Sequence, residues 1–356
     1  MKQAEKKITL DEDPKLIIDL FKNNFPLTGH GSTMLSLAHL KVGDIKQAEK
    51  IAAISWLDQK FDEKNFQLMI KNFKNVISIN NNKRLNNLLW KRDLSSVNQL
   101  KKIMTASDFF IAEQRVRLQK LTKSKDKIDT LKIFNIKDPG VLFDYANYLQ
   151  SKRKYKKISN IIFNLSKNPV KLGLSYKWSE LRIYHARREL RLGNMMKAYK
   201  ISSNHLISNE FFVNDDFKES KQGYVELEWL SGFIALNFLK KPEVAIKHFS
   251  NILDLVTNKN FLSKNYYWYA RSLEKLKRIN EAQDYYKKGS IYISTFYGQL
   301  SAERINKKLL DLSTYIGSID EEGNLSPLGG SEITISDKQY MQVQTFQMGF
   351  YGIFSS

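Results

Sequence analysis

"YYWYARSLEKLKRINEAQDYYKKGSIYISTFYGQLSAERI", residues 266–305, carries the spacing from which the fold can be predicted. Its bulky side chains recur at three- and four-residue intervals, the spacing of one helix face, at Tyr266, Tyr269, Leu273 and Leu276. A break follows, and Asn280 is expected to cap a second helix with Glu281 and Asp284 in its first turn, where the helix dipole favours acidic side chains. The aromatic run therefore predicts the packing of two helices rather than an active site.

The same arrangement recurs along the chain. Each copy has a helix end, a breaking or capping residue, and a small residue about four positions later; the small residues are Ala48, Ala198, Ala245 and Ala282. Gly43 and Gly193 are expected to adopt the left-handed conformation that ends a helix. Asp44 and Asn194 would then cap the next helix, and Pro242 suits a first turn. The irregular intervals predict a solenoid of helix pairs related to tetratricopeptide architecture.

Composition favours the same fold class. The chain has 356 residues, of which 42% are hydrophobic, and only 6 Pro and 16 Gly interrupt it. We predict an all-α, irregular helix-hairpin (TPR-like) superhelix, either an open solenoid or a ring, over residues 1–310. Residues 311–356 contain turn signals and short alternating runs such as "EITIS", so a short non-helical tail, or the truncated start of a further domain, is expected there.

Two segments are expected to be deeply packed. Residues 224–239 are apolar apart from Glu226, Glu228 and Asn237, which is typical of a helix buried on both sides. Residues 138–169 predict another hairpin with a break near Arg153. The five tryptophans lie in helical apolar patterns and are expected to be core residues rather than ligand platforms: Trp56, Trp90, Trp178, Trp229 and Trp268.

The formal net charge of +20 would suit an acidic partner such as nucleic acid, an anionic membrane surface or another acidic polymer. Most of it is lysine scattered among asparagines, whereas a nucleic-acid site more often shows clustered Arg among exposed aromatics, so the pattern argues against such a site. Residues 185–200 come closest to a basic patch, but the solvated face of a helix is the favoured interpretation, because long cationic side chains commonly cover such a face. No stretch reaches the roughly 18 apolar residues of a membrane span. With 0 Cys, thiolate chemistry and disulfides are excluded.

Residues that could carry catalysis are scarce. The five histidines are scattered and form no metal-binding pair: His30, His39, His185, His205 and His248. Ser32 lacks the glycine spacing of a nucleophile elbow and is expected to cap the helix running through Leu40. Glu226 and Glu228 fall on different helix faces and cannot converge. We expect no catalytic residue, metal site, cofactor or buried acid, and the sequence assigns no ligand-binding residue.

The segments "EWLSGF" (228–233), "NYYWYARSLEKL" (265–276) and "TFYGQL" (295–300) resemble the superhelical region of the proteobacterial soluble lytic transglycosylases. A looser likeness upstream extends the resemblance to about residues 15–310; it is carried by "RLNNLLW" (84–90), "AEQRVRLQ" (112–119), "DPGVLFDYANYLQ" (138–150) and "WSELRIYHARREL" (178–190). These are packing motifs, so they are specific for the helical architecture and not for a reaction.

That family cleaves peptidoglycan with a lysozyme-like domain that follows the superhelix. A single Glu of a Glu-Ser motif acts there as acid and then as base, and a Gly-Leu-Met-Gln segment follows it. The Glu-Ser pair of this chain, Glu219-Ser220, is expected in a charged linker, and "LMQ" does not occur. The activity is therefore not carried over to this sequence.

The resemblance implies a periplasmic scaffold that positions peptidoglycan glycan strands, although no signal peptide is visible in the sequence. Two alternatives remain: a helical-repeat adaptor that binds protein or RNA, and the N-terminal part of a complete peptidoglycan lytic transglycosylase whose gene is truncated. The resemblance also predicts that Phe296 and Tyr297 are wedges between hairpins and that Gly298 lies against another backbone.

Overall fold

The computed structural model describes residues 2–124, 137–165, 167, 172–208, 218–305, 318–319 and 325–326. These residues are almost entirely helical, which confirms the all-α prediction. In the predicted tail, β1 (Ser318–Ile319) pairs antiparallel with β2 (Leu325–Ser326). The remainder of the tail, including "EITIS" at 332–336, lies outside the described residues.

The chain divides into two compact units, Met1–Lys154 and Tyr155–Ser356. The described part of the first unit contains α1 (Lys2–Glu5), α2 (Pro14–Leu20), α3 (Gly29–Lys41), α4 (Ile45–Asp58), α5 (Glu63–Lys91), α6 (Leu94–Lys101), α7 (Ala106–Leu121) and α8 (Pro139–Ser151). Consecutive helices contact each other from α2 to α6, and α7 packs on α8. This is the packing order of a helix-hairpin solenoid, and the buried Trp56, Phe66 and Met69 lie in its core.

The second unit follows the same order. Its described helices are α9 (Tyr155–Leu165), α10 (Ser179–Arg191) after a 3₁₀ turn (Ser175–Trp178), α11 (Met195–Ser203), α12 (Lys218–Asn237), α13 (Pro242–Ser250), α14 (Lys259–Lys275), α15 (Ile279–Ser290) and α16 (Phe296–Arg304). Each helix from α10 to α16 packs on the next. The tryptophans and the four repeat alanines are buried in both units, as predicted.

One backbone geometry ends six of the described helices. A residue with positive φ follows each of them, at Gly43 (84°), Arg92 (58°), Arg153 (55°), Gly193 (78°), Lys240 (56°) and Lys277 (60°). The next residue's N–H bonds back to a carbonyl in the helix's last turn, as from Asp44 to His39 and from Arg278 to Leu273. This left-handed cap satisfies carbonyls that a helix end would otherwise leave unpaired. The predicted breaks at Gly43, Gly193 and Arg153 are confirmed.

Two substitutions at these corners test their geometry. An L-residue in the left-handed region costs about 1 kcal/mol or more, and glycine avoids this cost. We therefore expect Lys277→Gly to raise the free energy of unfolding by about 1 kcal/mol and Gly193→Ala to lower it by about the same amount. Chemical denaturation of both variants measures these changes. Stabilisation by Lys277→Gly together with destabilisation by Gly193→Ala supports the left-handed geometry. Destabilisation by Lys277→Gly would contradict it.

Two predicted helix starts are corrected, and a third is confirmed in position. Ser32 does not cap a helix, because Thr28 Oγ1 accepts a hydrogen bond from Gly31 N (3.0 Å) and Ser32 is buried within α3. Asn280 lies inside α15, because Lys277 has already ended α14 and the new helix begins at Ile279. Asn194 holds the predicted cap position, but its side chain donates to Glu189 Oε2 (2.8 Å) instead.

Candidate functional site

The Glu-Ser pair is not in a linker. Because α12 begins at Lys218, Glu219 and Ser220 lie in the first turn of this helix, and Ser220 is buried. The side chain of Glu219 lies outside the described part of the structure. The pair therefore has a different setting from the one that the sequence predicted.

The expectation that no acid is buried is wrong. Four carboxylates are buried among the described residues, namely Glu5, Asp144, Glu189 and Glu228. Glu226 and Glu228 do diverge as predicted, since Glu226 is partly exposed and Glu228 is only 4% exposed. Because a buried charge is costly unless it is paired, the partners of each carboxylate decide what it can do.

Glu228 of α12 receives hydrogen bonds from three side chains. His205 Nε2 lies 2.8 Å from Oε1, and His248 Nδ1 and Asn251 Nδ2 lie 2.9 Å and 2.8 Å from Oε2. The Ile207 N–H donates to His205 Nδ1 (3.1 Å), so the proton of this ring is on Nε2, facing the carboxylate. Burial alone would raise the pKa of Glu228, but the bonds from His205 and His248 outweigh it and lower the pKa to about 2.

This cluster holds helices together and is not suited to acid catalysis. The segment after α11 supplies His205, α13 supplies His248, and Tyr199 OH on α11 contacts His248 Nε2 at 3.0 Å. A glycosidase-type acid needs a raised pKa to stay protonated at neutral pH, whereas Glu228 is ionised there. The cluster could not be predicted from short-range spacing in the sequence, because its histidines lie 23 and 20 residues from Glu228.

Several charges of the basic segment at 185–200 are compensated within the fold, whereas Arg191 and Lys200 are exposed. His185 is buried with Nδ1 3.0 Å from Ser159 Oγ, and burial lowers its pKa to about 4. Arg188 and Lys197 both pair with Glu189, at 3.7 Å and 3.3 Å. Charges that are already compensated within the fold add little to an external basic patch.

A pocket of about 290 Å³ lies between the amino ends of α14 and α16. Its walls are Asn258, Asn260, Phe261, Lys264, Phe296 and Tyr297. Thr295, the cap of α16, completes the lining and accepts a hydrogen bond from Gly298 N (3.1 Å). This combination of aromatic rings, amides and one amine suits a small polar ring compound.

Lys264 is the charged group of this pocket. Its Nζ lies 3.2 Å from the centre of the Trp229 ring and 5.0 Å from that of Phe261. No carboxylate of the described residues lies within ion-pairing distance of this Nζ. Burial lowers the pKa of Lys264 to about 7, with the positive charge of Arg187 adding to the effect and Glu226 opposing it. The Trp229 face in turn favours the ammonium form.

The aromatic run of 266–305 is mainly packing, as predicted. Tyr266 and Tyr269 pack against Tyr285 of α15 with ring centres 6.1 Å and 4.3 Å apart, and Tyr297 is only 4% exposed. The prediction for Gly298 is confirmed, because a side chain there would overlap the backbone carbonyl of Tyr292. The prediction for Phe296 is corrected: its ring is partly exposed and lines the pocket.

Two larger pockets lie in the first unit. The pocket between α6 and α7, about 610 Å³, contains Lys101 and Glu113, which pair with each other at 2.7 Å. The other, about 560 Å³, lies over α2, α3 and α4 and is lined by apolar residues such as Ile18, Phe25 and Ile54, together with His39, Lys50 and polar amides. The α14–α16 pocket is smaller, but its cation Lys264 is partly buried against an aromatic ring, whereas the cations that line the other two pockets, such as Lys50 and Lys120, are exposed. It is therefore the stronger candidate for a ligand site.

Comparisons with known proteins leave the family open. No protein-family model matches this chain, and no curated protein matches it either. None of the described helices combines the length and the hydropathy needed to cross a membrane. Among the same residues, no group of three or more His, Asp or Glu side chains is arranged to hold a metal ion.

Proposed function

We propose that this chain is a non-catalytic helical scaffold that binds peptidoglycan glycan strands in the periplasm. The observation that carries the proposal is the α14–α16 pocket, whose partly exposed ring of Phe296 and flanking amides of Asn258 and Asn260 suit a sugar. The pocket lies within the segment that resembles the superhelical region of soluble lytic transglycosylases. Its volume, at the lower end of ligand pockets, suits one sugar residue of a strand.

The arrangement of the buried acids supports a binding role over a catalytic one. Glu228 is held ionised by His205 and His248, and Asp144 is bonded to Arg115 in the first unit. Neither carboxylate lines the α14–α16 pocket. A retained glycan would therefore meet aromatic and amide groups without an acid poised to protonate its glycosidic oxygen.

Cosedimentation with purified peptidoglycan sacculi tests this function. We expect the full chain to pellet with sacculi and the double variant Phe261→Ala/Phe296→Ala to lose most of that binding, because it removes the pocket's accessible rings. Phe110→Ala is the matched control, since this ring is 53% exposed in the first unit and lines none of the three pockets. Wild-type protein should release no anhydro-muropeptides.

Three results would contradict the proposal. They are the absence of sacculus binding, equal binding by the pocket double variant, and release of anhydro-muropeptides. Salt dependence separates the RNA-adaptor alternative, because binding to nucleic acid falls steeply with salt through counterion release whereas binding to a glycan falls little. Tight RNA binding with a steep salt dependence, without sacculus binding, would favour the adaptor.

A further inference from the structure

We propose that the α14–α16 pocket selects an acidic sugar, a hexose ring that carries a carboxylate, with the Lys264 ammonium as the partner of that carboxylate. This inference rests on the proposed glycan-binding function and assigns a substrate class to the same site. N-acetylmuramic acid, the peptidoglycan sugar whose lactyl carboxylate is free wherever no peptide stem is attached, is the test compound, and N-acetylglucosamine is its neutral counterpart.

The charge distribution around the pocket favours an anion. Lys264 brings a positive charge to its wall, and the described residues place no carboxylate in the lining. Two helix amino ends meet at the same place: Asn258 Oδ1 caps α14 through Phe261 N (3.2 Å), and Thr295 caps α16. The positive ends of both helix dipoles therefore add to the field of the amine.

The lining favours a singly charged ring compound over a phosphate. Lys264 is the one cationic side chain among the residues that line the pocket. Phosphate sites more often combine several cations or the forked guanidinium of Arg with backbone amides. Phe261 and Phe296 instead offer ring faces, and Asn258 and Asn260 offer amides that can bond to hydroxyl and acetamido groups.

The amine also gives the site a pH dependence. The charged groups that face Lys264 are Arg187 on α10 and Glu226 on α12, and Tyr297 in the pocket wall stays neutral because burial raises its pKa to about 12. The Lys264 pKa near 7 means that the ammonium is present below pH 7 and is lost as the pH rises. A sugar carboxylate, with a pKa near 4, stays ionised over this range, so its affinity should fall as the pH rises.

Calorimetric titration of the full chain at pH 6 tests the selectivity. We expect N-acetylmuramic acid to bind at least about tenfold more tightly than its methyl ester or N-acetylglucosamine, as one charge-assisted hydrogen bond implies. A peptide-stem carboxylate is the other source of the same charge, so the dipeptide L-alanyl-D-glutamate is titrated in parallel. It should bind more weakly than the acidic sugar because it offers no ring to Phe261 and Phe296.

Two variants test whether the preference for the acidic sugar depends on the Lys264 amine. Lys264→Met should abolish the preference for the acidic sugar, and Lys264→Arg should preserve it and remove its decline between pH 6 and pH 8.5. Lys259→Met, in the exposed first turn of α14, is the matched control and should behave as wild type. Melting temperatures establish that each variant is folded.

Equal binding of the acidic and neutral sugars, an unchanged preference in Lys264→Met, or tighter binding of the dipeptide would overturn this inference. If sacculi bind and none of these small compounds does, the acidic-sugar assignment is also wrong while the scaffold function stands. If sacculi do not bind, the proposed function itself fails. The two proposals are therefore tested separately.

Discussion

We expect Glu228→Ala to lower the free energy of unfolding by about 3–5 kcal/mol, because it leaves the buried His205 and the partly buried His248 without their acceptor. His205, His248 and Asn251 all direct hydrogen bonds at this carboxylate, and they come from different segments around α12. Losing it should loosen the contact of α12 with α13 as well as the segment after α11. Urea denaturation followed by circular dichroism measures the change.

Glu226→Ala is the control, because this partly exposed residue lies on the same helix two positions earlier. It should cost less than about 1 kcal/mol in the free energy of unfolding.

The pKa of Glu228 is lowered from 4.5 to about 2, so its ionised form stabilises the fold fully above pH 4.5 and loses this effect as the pH falls towards 2. The difference between wild type and Glu228→Ala should shrink over that acidic range. A difference that stayed constant down to pH 2 would contradict the charged-acceptor explanation.

The second large effect is expected at Asp144 in the first unit. Arg115 Nε and Gln119 Nε2 lie 2.7 Å and 3.0 Å from its carboxylate, and the Arg115 guanidinium lies 4.7 Å from the Trp90 ring centre. Burial raises the pKa of Asp144 even though Arg115 opposes that shift. Asp144→Ala leaves the buried Arg115 without its counter-charge and should cost about 3–5 kcal/mol in the free energy of unfolding.

A double variant shows whether the cost of Asp144→Ala comes from leaving the Arg115 charge unpaired or from losing a net stabilising ion pair. Replacing a buried ion pair with apolar side chains of similar volume is often neutral, so Arg115→Met/Asp144→Leu should recover most of the loss seen in Asp144→Ala. Asp138→Ala, at the cap of the same α8, should cost about 1 kcal/mol. If Asp144→Ala cost no more than Asp138→Ala, the ion pair would not have the role assigned to it.

The fold could be predicted from the sequence to the extent that its signals are local. Gly43, Gly193 and Pro242 mark helix ends through backbone preferences that operate within a few residues. Arg92, Lys240 and Lys277 adopt the same left-handed geometry, but their residue types carry no such preference. Tertiary packing sets these corners, which explains why the start of α15 was misplaced.

The candidate site depends on contacts that are distant in sequence. Glu228 lies in a segment whose pattern is typical of a helix buried on both sides, and an unpaired buried charge is too costly, so its position could have signalled buried partners. Which histidines bond to the Glu228 carboxylate depends on how α12 packs against its neighbouring segments. Phe296 and Tyr297 are adjacent aromatics that both line the pocket, and only the rotation of α16 decides that Tyr297 is buried while Phe296 stays partly exposed. Periodicity alone cannot fix that rotation in a helix of 9 residues.

Hydrogen–deuterium exchange of the full chain, with and without solubilised peptidoglycan glycan strands, tests the central claim most directly. We expect glycan to slow exchange in peptides covering residues 258–264 and 295–299, at the amino ends of α14 and α16. Exchange in residues 98–121, which contain the larger α6–α7 pocket, should be unchanged. Protection confined to residues 98–121, or no protection at saturating glycan, would contradict the assignment of the α14–α16 pocket as the glycan site.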